Sequence, residues 1–98
     1  MKKTYLDLST GHLQQHTLDK LTQIDGKRQG WPAMTIATYR EGVFVSVPDF
    51  NLVSSEQMRA LPADLASMLL QAASEGAQLI RFDADGYVDG DLPYYQEI

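Results

Sequence analysis

The sequence predicts an α+β domain, a two-layer sandwich in which two helices cover one face of a mainly antiparallel sheet. Three observations carry that expectation. Segments 35–39 and 43–47 are rich in β-branched and aromatic residues and flank a Gly-containing reversal, the pattern of a hairpin. Leu65, Met68, Leu69 and Ala72 recur at the i, i+3, i+4, i+7 spacing of a buried helical stripe. Strand-like runs at 5–8 and 78–82 lie towards the two ends, and a further helical pattern follows the first of them. The expected order is β-α-β-β-α-β, and two helices on one face of the sheet is the simplest way to bury both stripes. At 98 residues the chain is expected to form one domain over 1–98, large enough to bury a core without staples.

Tyr5-Leu6-Asp7-Leu8 alternates, which turns Leu6 and Leu8 towards the core. Ser9-Thr10-Gly11 reads as a turn. Leu18, Leu21 and Ile24 then mark a helix, with Leu13 placed to staple back onto Leu18; Gln14, as N-cap, is poorer than Ser or Asp. Asp25-Gly26 stops it, and 27–32 is a loop bracketed by Gly30 and Pro32. In the hairpin, Arg40-Glu41-Gly42 reverses the chain, Val43, Val45 and Val47 share the buried face, and Phe44 and Ser46 share the other. Ser54 and Gln57 fit a capping box that starts a short helical turn ending before Pro62. Pro62 and Asp64 suit the first turn of the main helix, and Gly76 its end. After the run at 78–82, Asp85-Gly86 is a turn and Tyr87-Val88 a short returning strand.

The chain has no cysteine, which excludes a disulfide framework, a thiol nucleophile and a thiolate metal site. Polar residues follow Met1-Lys2-Lys3 where a signal peptide needs an apolar stretch, and the longest apolar run, Leu65 to Ala73, is too short to span a bilayer. A soluble, cytoplasmic protein is expected, with no membrane association. The net charge of −5 argues against nucleic acid as a partner, because phosphate neutralisation needs clustered Lys and Arg. The charge is unevenly spread, +1 over residues 1–49 and −6 over 50–98. Asp83, Asp85, Asp89, Asp91 and Glu97 form an acidic tail with no Lys or Arg among them.

Several chemistries fail on spacing. His12 and His16 are four residues apart, but Gln14 stands where the zincin glutamate would be, and His12 falls in the turn before the helix. Asp83-Ala84-Asp85-Gly86 offers hard oxygens, yet Tyr87 takes the third ligand position of an EF-hand and Tyr94 its closing glutamate. There is no Gly-x-Ser-x-Gly elbow and no Gly-rich phosphate loop, so Ser9 and Thr10 read as turn-forming side chains. No cofactor or metal is implied. Trp31, Tyr94 and Tyr95 lie in loops, where large rings serve either as interface anchors or to close the edge of a core.

Ser9-Thr10-Gly11-His12-Leu13, Leu61-Pro62-Ala63-Asp64-Leu65, Phe82-Asp83-Ala84-Asp85-Gly86 and Asp91-Leu92-Pro93-Tyr94-Tyr95 together resemble a bacterial family of uncharacterised small domains. The resemblance implies association with plasmids and other mobile elements, and no activity. The leading expectation is therefore a non-enzymatic accessory protein that binds another protein or itself, a homodimer included. His12, Trp31, Asp83, Asp85, Tyr94 and Tyr95 are its candidate contact residues. The alternative is a small enzyme or ligand- or metal-binding domain using His12 with Asp83 and Asp85, which requires the two ends to meet. Acidic mimicry of DNA is a weaker third reading.

Overall fold

Four strands, β1 (Thr4–Ser9), β2 (Ile36–Tyr39), β3 (Gly42–Ser46) and β4 (Ala77–Asp83), form one sheet in the order β1-β4-β3-β2. Helices α1 (Gln15–Thr22), α2 (Ser55–Ala60) and α3 (Ala63–Ser74) complete a computed structural model that describes residues 4–22 and 30–95. The β-α-β-β-α-β order expected from sequence is present, with α2 as a short extra helix where the capping box lies. β2/β3 and β3/β4 are antiparallel; β1/β4 is parallel.

The pairing register lays the side chains in rows across β2-β3-β4-β1. Thr38–Val43–Phe82–Leu8 and Ile36–Val45–Ile80–Leu6 turn to one face, and Tyr39–Gly42–Asp83–Ser9 and Ala37–Phe44–Arg81–Asp7 to the other. Leu8, Val43, Val45, Ile80 and Phe82 share a single core with Leu21 of α1 and Leu65, Met68, Leu69 and Ala72 of α3. Both helices therefore cover the same face, and the stripe of α3 is the one its spacing predicts. Burying a Leu or Phe side chain contributes about 1.5–3 kcal/mol, so these residues dominate the stability of the two layers.

Helix starts are fixed in two ways. Ser54 caps α2 locally: its hydroxyl accepts from Gln57 N–H at 3.1 Å, and the Gln57 side chain accepts from Ser54 N–H at 3.0 Å. The weak Gln14 start of α1 is held instead from another helix. The Asp64 carboxylate, in the first turn of α3, accepts from Gln14 N–H at 2.7 Å with one oxygen and from the buried Thr17 hydroxyl at 2.8 Å with the other. Gly76 ends α3 at φ +77°, a left-handed conformation that favours glycine. Ile24 and the Asp25-Gly26 stop lie outside the described residues.

Two turns differ from expectation. Arg40 and Glu41 alone make the hairpin loop, and Gly42 is the first residue of β3, paired with both Tyr39 and Asp83. A Cβ at Gly42 would collide with the Phe82 carbonyl oxygen, so the glycine serves strand approach and not reversal. Tyr87-Val88 is not a strand. A Cβ at Gly86 would strike the Leu8 carbonyl oxygen, so the turn sits against the end of β1, and Ser9 N–H donates to Tyr87 O at 2.8 Å.

Candidate functional site

The two ends of the sequence meet at His12. Ser9 caps a 3₁₀ turn, Thr10–His12, by accepting from Gly11 N–H at 3.0 Å, and this turn delivers the imidazole into the protein with no exposed surface. Its Nε2 accepts from Asp89 N–H at 2.9 Å, which leaves Nδ1 as the protonated nitrogen, donating to the Pro93 carbonyl at 2.6 Å. The Tyr94 ring meets the imidazole edge-on, with centroids 5.6 Å apart, and Tyr95 N–H donates to Gly11 O at 2.7 Å. A Cβ on Gly11 would collide with the Tyr94 ring. The segment 87–95 is thereby fastened along the β1 side of the sheet.

The other face of the sheet carries a charge network. Because Gly42 has no side chain between them, the Tyr39 hydroxyl reaches across β3 and donates to Asp83 Oδ2 at 2.5 Å. Asp83 Oδ1 accepts from Asp85 N–H at 2.8 Å. Arg81 lies between two carboxylates, 3.5 Å from Asp7 and 3.7 Å from Asp83, neither pair close enough for a strong hydrogen bond, and its Nε has no hydrogen-bond partner among the described residues. The Tyr39 hydrogen bond, then the Asp85 amide and Arg81, hold the Asp83 carboxyl below the usual carboxylate range. Burial and the Asp83 carboxylate push the Tyr39 phenol up to about 12. Burial alone would lower the Arg81 guanidinium, but Asp7, Tyr39 and Asp83 outweigh it and raise it.

Around this network the face is aromatic, and no helix among the described residues covers it. Tyr5 is 57% exposed, Phe44 and Leu79 are half-buried, and the Tyr39 and Phe44 rings lie 5.1 Å apart. None of these four residues belongs to the core that the helices close, and α1 and α3 both lie on the opposite side. Sequence reasoning assigned Phe44 to this face but passed over Tyr5, Tyr39, Leu79 and Arg81. Alternation along β1 and β4 was the available signal; the missing knowledge was that β4 is central and faces both neighbours.

The sequence-derived candidates fall in three places. His12 is fully buried and both its nitrogens are engaged by backbone groups; Asp83 is buried on the charge network, and Asp85 is an exposed turn residue. The partners of His12 are thus the Asp89 amide and the Pro93 carbonyl, and the bonds of Asp83 run to Tyr39, Arg81 and Asp85. Trp31 is half-buried and packs against the core. Tyr94 and Tyr95 are 43% and 39% exposed on the tail. His16 is exposed on α1, apart from the buried His12. Among the described residues no three metal-ligating side chains converge, and no helix is long and apolar enough to cross a membrane.

No curated protein and no solved structure matches the chain. Residues 5–97 match the family described as "Family of unknown function (DUF5983) C-terminal domain", which takes in both end motifs, the charge network and, but for Thr4, the four strands. The chain belongs to that family.

Proposed function

We propose that this protein is a non-enzymatic interaction module, an accessory protein of a mobile element that acts by binding another protein or a second copy of itself. The observation that carries this reading is the uncovered sheet face, where Tyr5, Phe44 and Leu79 surround an ordered Asp7–Arg81–Asp83–Tyr39 network. Aromatic and apolar groups around an arginine flanked by two carboxylates are the composition of a protein contact surface. The engagement of both His12 nitrogens in holding the tail supports an interaction role over acid–base chemistry at that residue. The mobile-element context rests on the resemblance of the four sequence blocks.

The test is affinity capture from the bacterial host by the full chain, set beside Tyr5→Lys and Leu79→Lys variants whose unfolding midpoints match the parent. A specific partner, or the chain itself, is expected on the parent and lost from both variants. Recovery that both substitutions leave unchanged would remove this face from the proposal. Recovery of nothing, from a chain that also sediments as a monomer at every concentration, would overturn the interaction role itself.

A further inference from the structure

The segment 87–95 closes onto one short turn. Asp89 N–H donates to His12 Nε2 at 2.9 Å, His12 Nδ1 donates to the Pro93 carbonyl at 2.6 Å, the Tyr94 ring meets the imidazole edge-on, and Tyr95 N–H donates to Gly11 O at 2.7 Å. All but the last pass through His12. Elsewhere the segment is held by the bond from Ser9 N–H to Tyr87 O and by Leu92 against the core, and its fit is loose. An open cavity of about 190 Å³ remains between it, β1 and α3, lined among others by Leu8, Gln71, Tyr87 and Leu92, and Glu75 and Asp89 bring like charges to that lining.

The closed arrangement uses one protonation form of His12. Nε2 accepts, so it carries no proton, and Nδ1 donates. A second proton on Nε2 would set it against the Asp89 N–H, two donors without an acceptor, on a ring with no exposed surface. A neighbouring carboxylate could offset the charge, but among the described residues none forms an ion pair with the imidazole. The titratable groups on the elements around it are otherwise engaged. Asp89 accepts from Asp91 N–H at 2.9 Å, Asp64 of α3 from Gln14 and Thr17, and Asp83 of β4 from Tyr39 and Asp85. Tyr94 presents its ring, and His16 of α1 is exposed.

The geometry points to His12 as a pH-sensitive latch: the neutral imidazole fastens the segment 87–95 along the β1 side of the sheet, and uptake of one proton releases it. The sign follows from the two forms. A released imidazole, in water, takes its second proton below about pH 6.5, and the closed one has no place for it. The closed form is therefore fully favoured above that value and loses ground by about tenfold per pH unit below it. Release uncovers the Gly11 carbonyl and the apolar side chains of Leu6 and Leu8 that line the cavity with Leu92. The latch does not depend on the sheet face that carries Tyr5 and Leu79.

The test follows amide exchange in the full chain between pH 8 and 5, with each rate corrected for the intrinsic effect of pH on exchange. Protection of the Asp89 and Tyr95 amides is expected to fall by about tenfold per unit below about pH 6.5. It is expected to stay lower than that of Ile80 and Phe82 throughout, because the segment opens without unfolding the sheet. H12Q keeps an acceptor for the Asp89 amide and takes no second proton, so its protection should be weaker than the parent's at pH 8 and flat down to pH 5. H16Q should follow the parent. Protection at Asp89 and Tyr95 that is level with pH in the parent, that equals that of Ile80 and Phe82, that falls as steeply in H12Q, or that goes flat in H16Q would overturn the latch. The parent's imidazole gives a reading that needs no variant. At pH 8 its ¹⁵N shifts should show Nδ1 protonated and Nε2 bare, and the reverse tautomer would equally overturn the proposal.

Discussion

Asp83 accepts from a phenol with one oxygen and from a backbone amide with the other, while Arg81 stands 3.7 Å away. These bonds favour the ionised carboxylate in the folded protein, so its folded pKa lies below the unfolded value near 4. Its stabilisation is then complete above that value and is lost as pH falls through the lowered folded pKa. Tyr39 behaves in the opposite sense. With the phenol raised to about 12, its contribution is complete below the ordinary value near 10 and is lost as pH rises from 10 towards 12. Urea unfolding across the pH range should therefore show Y39F flattening the alkaline limb and moving the acid limb upwards, and D83N flattening the acid limb. Parent and Y39F curves that run parallel between pH 10 and 12 would refute the coupling. The sequence exposed these residues unevenly. Asp83 was visible as part of an acidic turn, whereas Tyr39 was visible only as a strand residue, because the side-chain gap that joins them belongs to Gly42 on a third segment.

The helices show the same division at the scale of the element. The capping box of α2 is a local device, four consecutive residues bonding among themselves, and it was legible from Ser54 and Gln57 alone. The start of α1 is not local: Gln14 and Thr17 both depend on Asp64, about fifty residues away, a residue that sequence reasoning credited only to its own helix. The two arrangements predict different costs. S54A removes exposed hydrogen bonds and should cost about 1 kcal/mol. D64A leaves the buried Thr17 hydroxyl and the Gln14 amide without their acceptor, and should cost about 3 kcal/mol and loosen α1 relative to α3. Chemical denaturation of the two variants measures this directly; equal costs would mean that Asp64 is no tie between the helices. The tail repeats the lesson. Gly11 and Gly86 were legible as turn residues, but what they make room for, the Tyr94 ring and the Leu8 carbonyl, comes from the opposite end of the sequence.

Across the whole molecule, the last strand in the sequence lies inside the sheet, between the first and the third. β4 pairs parallel with β1 and antiparallel with β3, and its Ile80 and Phe82 are fully buried under α3. Hydrogen exchange should accordingly be slowest at the amides of residues 79–82 and at Val43 and Val45. Sequence by itself determined the helices, the four strands of the sheet, their order along the chain and which side of each is apolar, though it also read Tyr87-Val88 as a strand that does not form; these features follow from short-range periodicity and from caps, glycines and prolines acting on their neighbours. Tertiary structure alone decided that β4 enters the middle of the sheet, that His12 is engaged on both nitrogens by the tail, and that, among the described residues, the helices cover only one face of the sheet. The physical reason is that hydrogen bonds between strands and contacts between layers join segments far apart in the chain. Their partners are chosen by geometry that no local pattern encodes.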